Sequence, residues 1–441
     1  MLVEFDDFFS LEALEQDYQD LLDGKFDFVH EDAYLPPGSD RQDRKIFEKQ
    51  RDQHFRAIHR KVLQDRWSFS PFLEKSIPKI TGGERIISLA TIRDTLVQRR
   101  LYEYLYPIVD PLLSDACCAY RRGSGAHKAI KQVRNALEAG YVHVLDADIK
   151  NFFDRVDHET LLAIAQDLPI DERALRLLEA YLTTPRVTSE DRQKADSAKP
   201  RTKYLREPRR MGLPQGGVIS GMLANLLLAS FDKEIQQGED ILVRYADDFL
   251  VCCQTEQAVK DADVRAAHAL DALGGLELHP DKTAVRDATD GVDFVGFRIG
   301  HGFTRVRSAN LAKFKKRIRE VFETHKPKGD LAGDLWHLCH RLSYKIQGPI
   351  DEIKRHNLAK HPKHPHHRSW IGFYRIIDDE KQIKSLDRWI RAQVSRYAWQ
   401  QHRSKVTAKR MQAAGLPSLY GTLWKARKPP VTQACRQPNE T

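Results

Sequence analysis

The stretch Arg244-Tyr245-Ala246-Asp247-Asp248-Phe249-Leu250-Val251 constrains this chain more than any other. The apolar run Ile241-Leu242-Val243 leads into two adjacent aspartates, and Phe249-Leu250-Val251 follows them. Such flanks read as the two strands of a hairpin with paired carboxylates at its tight turn. Carboxylates that close repel each other unless a cation joins them. A hard divalent ion such as Mg²⁺ is bound by one or two carboxylates plus phosphate oxygens. Asp also favours turns on its own account, so the pair alone leaves an ordinary Asp-Asp turn open.

A third carboxylate shifts the balance. Residues 142–154 begin as a strand, Val142-His143-Val144-Leu145, and then turn toward a helix through Asp146, Asp148 and Asp154. Asp148 falls at the strand's end, where α/β folds place their chemistry. Asp148, Asp247 and Asp248 could together hold two metal ions on neighbouring strands. Two metals roughly 3.5–4 Å apart stabilise the attacking and leaving oxygens of an in-line phosphoryl displacement. Asp146 has the same strand parity as Asp148 and could face the same site. Asp154 reads as a helix N-cap or a surface residue.

These blocks resemble the core of reverse transcriptases, in that family's order. The resemblance is carried by Tyr245-Ala246-Asp247-Asp248, by Asp148-Ile149-Lys150-Asn151-Phe152-Phe153-Asp154 and by Met211-Gly212-Leu213-Pro214-Gln215-Gly216-Gly217. Pro78 to Ile87 resembles the fingers hairpin and Tyr120 to His127 the block after it. Leu276 to Thr283 and Phe294-Val295-Gly296-Phe297 resemble the last two palm blocks. The likeness runs from about Phe72 to Ile299 and is of the bacterial group II intron type.

The resemblance implies an α+β right-hand polymerase with fingers, a ferredoxin-like (split βαβ) palm and a helical thumb. It implies an RNA-directed DNA polymerase in which Asp148, Asp247 and Asp248 bind two Mg²⁺ ions, with Mn²⁺ as a possible substitute. Lys79 and Arg85 would grip the triphosphate, although a solvated hairpin charge is the plain alternative for each. Phe153 would close on the 2′ side of the sugar, or serve only as core. Gln215 and Gly216 would lie against nucleotide and template, with Gly allowing close backbone approach. Lys282 would protonate the leaving pyrophosphate unless it is a surface lysine. Tyr245 and Ala246 would line the primer end.

Charge is distributed unevenly. From residue 301 on, thirty Lys and Arg face eleven Asp and Glu, a net +19. The first 300 residues carry 41 basic and 51 acidic side chains, a net −10. A basic C-terminal third implies a polyanion bound mainly there. Lys313, Lys315, Lys316, Arg317, Arg388 and Arg391 are the expected contacts, mostly to backbone phosphates, with steep salt dependence. The six cysteines have no metal-ligand spacing and read as reduced, buried thiols. No apolar run approaches the roughly 20 residues of a membrane span. The acidic N-terminus lacks a secretory start, so a cytoplasmic protein is expected.

The expected organisation is an N-terminal amphipathic extension at 1–40, fingers at 41–140 and palm at 141–300. A fingers-side insertion near 185–210, with nine Lys or Arg residues, interrupts the palm. A basic helical thumb at 301–430 and a disordered tail at 431–441 follow. One helix is expected within residues 1–32, packed on the body or on a neighbouring subunit. A basic helix is expected over 41–66, a helix over Ile92 to Tyr106, and a long buried helix over Met222 to Ala229. The last helix spans Lys384 to Trp399, with Trp389 as core. His361-Pro362-Lys363-His364-Pro365-His366-His367 reads as a linker rather than a metal site.

No nuclease module, Cys-rich finger or RNase H-like acid set is recognisable. The sequence therefore resembles free-standing bacterial reverse transcriptases that copy a dedicated noncoding RNA in anti-phage defence. The expected partners are an RNA template, a DNA primer or product, and dNTPs, with no membrane and an open oligomeric state. The alternatives are a group II intron maturase, a non-catalytic RNA-binding protein on the same scaffold, and an RNA polymerase, the last disfavoured by Phe153.

Overall fold

The acidic hairpin closes one edge of a four-stranded antiparallel sheet in the computed structural model, which describes residues 4–27, 32–78, 83–191, 208–327, 329–348 and 369–427. In chain order the strands are His143–Asp148, Ile241–Tyr245, Asp248–Cys253 and Ala284–Asp287. Their spatial order is second, third, first, fourth. Helices connect the first strand to the second, and the helix Glu256–Asp271 connects the third to the fourth. This is the split βαβ arrangement that the sequence predicts. Phe249 to Cys253 are buried without alternation, because helices Ala126–Glu138 and Glu256–Asp271 both pack on this strand.

The fingers hairpin pairs Phe72–Pro78 with Glu84–Leu89, antiparallel, and Arg186–Val187 adds a short parallel strand against Phe72 and Leu73. The helix after it runs Ile92–Val109. Three expected helices are each two shorter ones. The N-terminal segment forms Phe5–Phe8 and Leu11–Lys25, because the Ser10 hydroxyl accepts from the Ala13 N–H at 3.3 Å and starts a new helix. The basic stretch forms Arg44–Glu48, capped by Asp43 accepting from Ile46 N–H, and Arg51–Leu63. The apolar run forms Ser220–Leu227 and Ala229–Ile235.

The N-terminal segment packs on the body of its own chain. Phe5, Phe9, Leu14 and Tyr18 join the core of the first unit. Asp17, 3% exposed, receives Arg99 at 2.9 Å and also Arg100 from the Ile92–Val109 helix. Two guanidiniums on one buried carboxylate compensate the cost of removing it from water.

The chain divides after Thr289 into two compact units, ahead of the palm boundary expected at 300. The second unit begins with a three-stranded antiparallel meander, Val292–Phe294, Phe297–Gly300 and Phe303–Val306. Its first turn is Val295-Gly296, with φ of 45° and 84°, as a two-residue type I′ hairpin demands. The long helices are Ser308–Glu323, Leu331–Gln347 and Glu380–His402. Their common anchor is the buried Asp334 carboxylate, with His325 Nε2 at 2.6 Å, His402 Nε2 at 2.7 Å and the Tyr397 hydroxyl at 3.0 Å. Trp389 is not core: it is half-buried, and Lys315 and Arg319 each stand 5.4 Å from its ring centre.

Lys79, most of the 185–210 stretch, the His361–His367 segment and the tail lie outside the described residues. Five cysteines lie among the described residues, all buried with free thiols. Among the described residues no helix is long and apolar enough to cross a membrane.

Candidate active site

Sheet register brings the three aspartates together. Asp148 and Asp248 are directly opposite cross-strand partners, and Tyr245 pairs with Asp248, leaving Ala246 and Asp247 as a two-residue turn. Beyond the paired segment, Ile149 N–H donates to the Asp247 carbonyl at 3.1 Å and His279 N–H donates to the Asp148 carbonyl at 2.7 Å. The strand end and the turn are thus stitched to each other through main-chain groups. Ala246 holds φ at 64°, a conformation that glycine usually supplies at this turn position.

A buried network keeps that turn in place. Arg244 is fully buried, and its guanidinium donates to both Asp232 carboxylate oxygens at 2.6 Å. The remaining N–H groups reach Asn225 Oδ1 and the Ala246 carbonyl, both at 3.1 Å. Its main chain is held as well: Arg244 N–H donates to the Ala116 carbonyl, and its own carbonyl accepts from Cys118 N–H, both at 2.9 Å. The sequence shows Arg244 only as a neighbour of the motif. Nothing in the spacing points to Asp232 or Asn225, because the triangle forms between three successive elements whose packing no sequence period encodes.

The electrostatics fit a cation site. Burial, and then the Asp146 and Asp148 carboxylates, push the Asp248 carboxyl up to about 7. Burial and Asp148 also raise Asp247. Two acids held near each other in a desolvated turn call for positive charge, and carboxylate oxygens suit Mg²⁺ or Mn²⁺. Lys282 supplies part of that charge, its ammonium 2.9 Å from Asp148 Oδ1. Its side chain is 55% exposed, so the pair is worth at most about 1 kcal/mol and yields readily to a divalent ion. Among the described residues no three His, Cys, Asp or Glu side chains stand in coordinating geometry. Asp148, Asp247 and Asp248 are the residues that would hold such ions.

The remaining residues sort as follows. Arg85 Nε donates to Gln215 Oε1 at 3.2 Å, and Ser88 N–H donates to the Gln215 carbonyl at 2.8 Å, so fingers hairpin and Gln215 loop meet. Gly216 has φ of 103°, and a Cβ there would lie 3.1 Å from the Ile87 side chain. Phe153 is partly buried against the core, with its main-chain carbonyl accepting from Leu213 N–H at 2.6 Å. Tyr245 is half-buried and Ala246 buried. Asp146 is held by Arg286 at 2.7 Å. Asp154 is the surface residue of the two readings: it is exposed within Phe152–Arg155 and faces Arg186 at 3.4 Å, while Asn151 takes the cap position. In the second unit Lys316, Arg317 and Arg388 are exposed, Lys313 and Lys315 half-buried, and Arg391 is paired with Asp387 at 2.8 Å. Nothing in the sequence singles out Tyr120 beyond its motif, yet burial, and then the nearby Asp247 carboxylate, raise its phenol.

Two outcomes are expected. Asp232→Ala strands the buried Arg244 charge, so chemical denaturation should show a loss of about 3–5 kcal/mol; a loss under 1 kcal/mol would refute the anchoring role. The second concerns Asp248 in chelator. A carboxyl raised from 3.8 to about 7 by folding stabilises fully below pH 4, and that stability is lost as pH rises through 7. Asp248→Asn should therefore gain on the wild type between pH 4 and pH 8, by at most about 4 kcal/mol for three pKa units. Mg²⁺ should narrow the difference at pH 8. A difference flat with pH would contradict the burial argument.

Known proteins bear on this geometry. The family described as reverse transcriptase (RNA-dependent DNA polymerase) matches residues 77–299. Protein YkfC of Escherichia coli is 24% identical over 301 residues, covering 60% of this chain and 75% of that protein. A 91 kDa protein in the cob intron of Schizosaccharomyces pombe is 29% identical over 179 residues, 41% of this chain and 20% of that protein. The group II intron-encoded protein LtrA of Lactococcus lactis subsp. cremoris is 27% identical over 153 residues, 35% of this chain and 23% of LtrA. The chain thus spans about a fifth of the length of two of these relatives. With the family's match covering half of this chain and the three acids gathered at one end of the palm strands, the chain belongs to the reverse transcriptase (RNA-dependent DNA polymerase) family.

Proposed function

We propose that this protein is an RNA-directed DNA polymerase that extends a 3′-hydroxyl with dNTPs. The observation that carries this is the pairing of Asp148 with Asp248 beside the Ala246-Asp247 turn, in a chain of the reverse transcriptase family. Phosphoryl transfer of this kind is positioning plus charge stabilisation, with little covalent work for the protein. Mg²⁺ held by the three carboxylates would stabilise the attacking and leaving oxygens. Arg85 and Gln215, already joined across the fingers and the loop, would meet the incoming nucleotide. Lys79 is proposed beside Arg85 from the motif alone. Phe153 would bar a 2′-hydroxyl, and Lys282, released from Asp148, would give its proton to pyrophosphate. Tyr245 and Ala246 would border the primer end.

Exposed Lys316, Arg317 and Arg388, with Lys313, Lys315 and Arg391, would follow the phosphates of the template–product duplex. The template we propose is one structured noncoding RNA, copied in the cytoplasm for anti-phage defence, a reading supported by the resemblance to compact bacterial members. The names of two relatives, one in a cob intron and one group II intron-encoded, favour a maturase that also assists splicing as the second reading.

Replacing both Asp247 and Asp248 with Ala should abolish dNTP incorporation on an RNA template while the protein still melts cooperatively. Retained incorporation would sink the assignment. Sequencing the nucleic acid that copurifies with the protein separates the templates. One structured RNA supports the dedicated template, an intron RNA supports the maturase, and random cellular RNA counts against both.

A further inference from the structure

Tyr120 holds φ at 55°, a left-handed conformation that costs a bulky residue free energy and persists only where the surroundings over-determine it. Those surroundings are present. The Ala119 carbonyl accepts from Asn225 Nδ2 at 2.9 Å. Arg121 donates to Asp110 Oδ1 at 2.7 Å and to the Ser114 carbonyl at 2.8 Å. Arg122 N–H donates to the Tyr106 hydroxyl at 3.2 Å. Asn225 also accepts from Arg244, so the network behind the acidic turn grips this backbone too.

The constraint aims the side chain. A Cβ at Gly221 would fall 2.4 Å from the Tyr120 ring, so the ring lies directly on the start of the Ser220–Leu227 helix, where any other residue would displace it. From there it stands edge-on to Phe153, with ring centres 6.3 Å apart and an interplanar angle of 85°. Phe152, fully buried, meets Phe153 edge-on from within the core at 5.5 Å. Phe153 is therefore bracketed by Phe152 and Tyr120. Tyr120 itself remains 48% exposed, so it borders open space rather than filling core. Its hydroxyl has no hydrogen-bond partner among the described residues, which assigns its role to the ring.

We propose that Tyr120 is a specificity-positioning residue that fixes the Phe153 ring at the angle at which it meets the sugar's 2′ position. Removing the Tyr120 ring lets Phe153 lean into the vacated space above Gly221, and the 2′-hydroxyl of a ribonucleotide is then admitted. This rests on the reading of Phe153 as the sugar gate.

The test is single-nucleotide incorporation on an RNA template, comparing kcat/KM for a dNTP with that for the matching NTP. Tyr120→Ala should lower the discrimination ratio about tenfold, the scale of a changed apolar contact in a specificity pocket. The change should come mainly through a lower KM for the NTP, with dNTP kcat kept. Tyr120→Phe should restore the wild-type ratio. Tyr120→Asn tolerates the left-handed backbone, so it provides a folded variant without the ring should the alanine protein prove unstable. In a Phe153→Ala background, Tyr120→Ala should add nothing further. A lowered ratio in Phe153→Ala with an unchanged ratio in both Tyr120→Ala and Tyr120→Asn overturns the role of Tyr120 alone. An unchanged ratio in Phe153→Ala overturns the gate itself, and the role of Tyr120 with it.

Discussion

A fully buried guanidinium holds the acidic turn of this protein in place. Desolvating Arg244 and Asp232 costs several kcal/mol per ion, which their two short hydrogen bonds offset only because the geometry is bidentate and the remaining donors are also satisfied. A pair of apolar side chains would fill the same space without that cost. What apolar groups would not do is hold the Ala246 carbonyl, and through it a turn whose φ is unfavourable for alanine. The ion pair thus acts less as a source of stability than as a fixed point. It ties the acidic turn to Asn225 and, through the Arg244 main chain, to the segment that presents Tyr120.

That fixed point gives the carboxylates their electrostatic character. A mobile turn would let Asp247 and Asp248 swing into water and separate. Held at the strand ends, they are partly desolvated and close to further acids, which raises both. With the main chain of turn and strand end already fixed, only side-chain rotation and the release of Asp148 by Lys282 would separate the ligand-free state from one that holds a divalent ion. Local cost and functional readiness have one cause.

Much of this was legible in the sequence, and what was not shares a pattern. The strand pairing around the acidic turn followed from two apolar runs and a turn between them. The palm order followed from the sequence of strand and helix signals. The three aspartates followed from position at strand end and turn together with the family resemblance, since parity alone keeps Asp146 beside Asp148. By contrast, the helix breaks at Ser10 and Gln50 depend on single local hydrogen bonds or turns that a smooth apolar periodicity overrides in the reading. Trp389 sits at a core-like helical spacing beside Ile390, yet it is half-buried under cations from the Ser308–Glu323 helix, which is a tertiary fact. Asp232 and Asn225 look like unremarkable polar residues on apolar helices until Arg244 arrives between them.

Asp146 shows how the sheet itself sorts equivalent acids. Parity places it on the same face as Asp148, and it is the nearest strand neighbour of like type. Each acid of the first palm strand, however, meets a cation from the fourth strand or the turn preceding it: Arg286 on Asp146 at 2.7 Å and Lys282 on Asp148 at 2.9 Å. The two contacts differ in kind. Arg286 is a planar guanidinium that is always charged, on the strand position that pairs with Val144. Lys282 is a flexible point charge on a turn, beside the strand's end, and easily displaced. Both pairs are about equally exposed and each is weak, but each gives its acid a cation, whereas for Asp247 and Asp248 the chief charged neighbours are other carboxylates. Unmet negative charge is thus greatest at the hairpin turn, which is where a cation would gain most by binding.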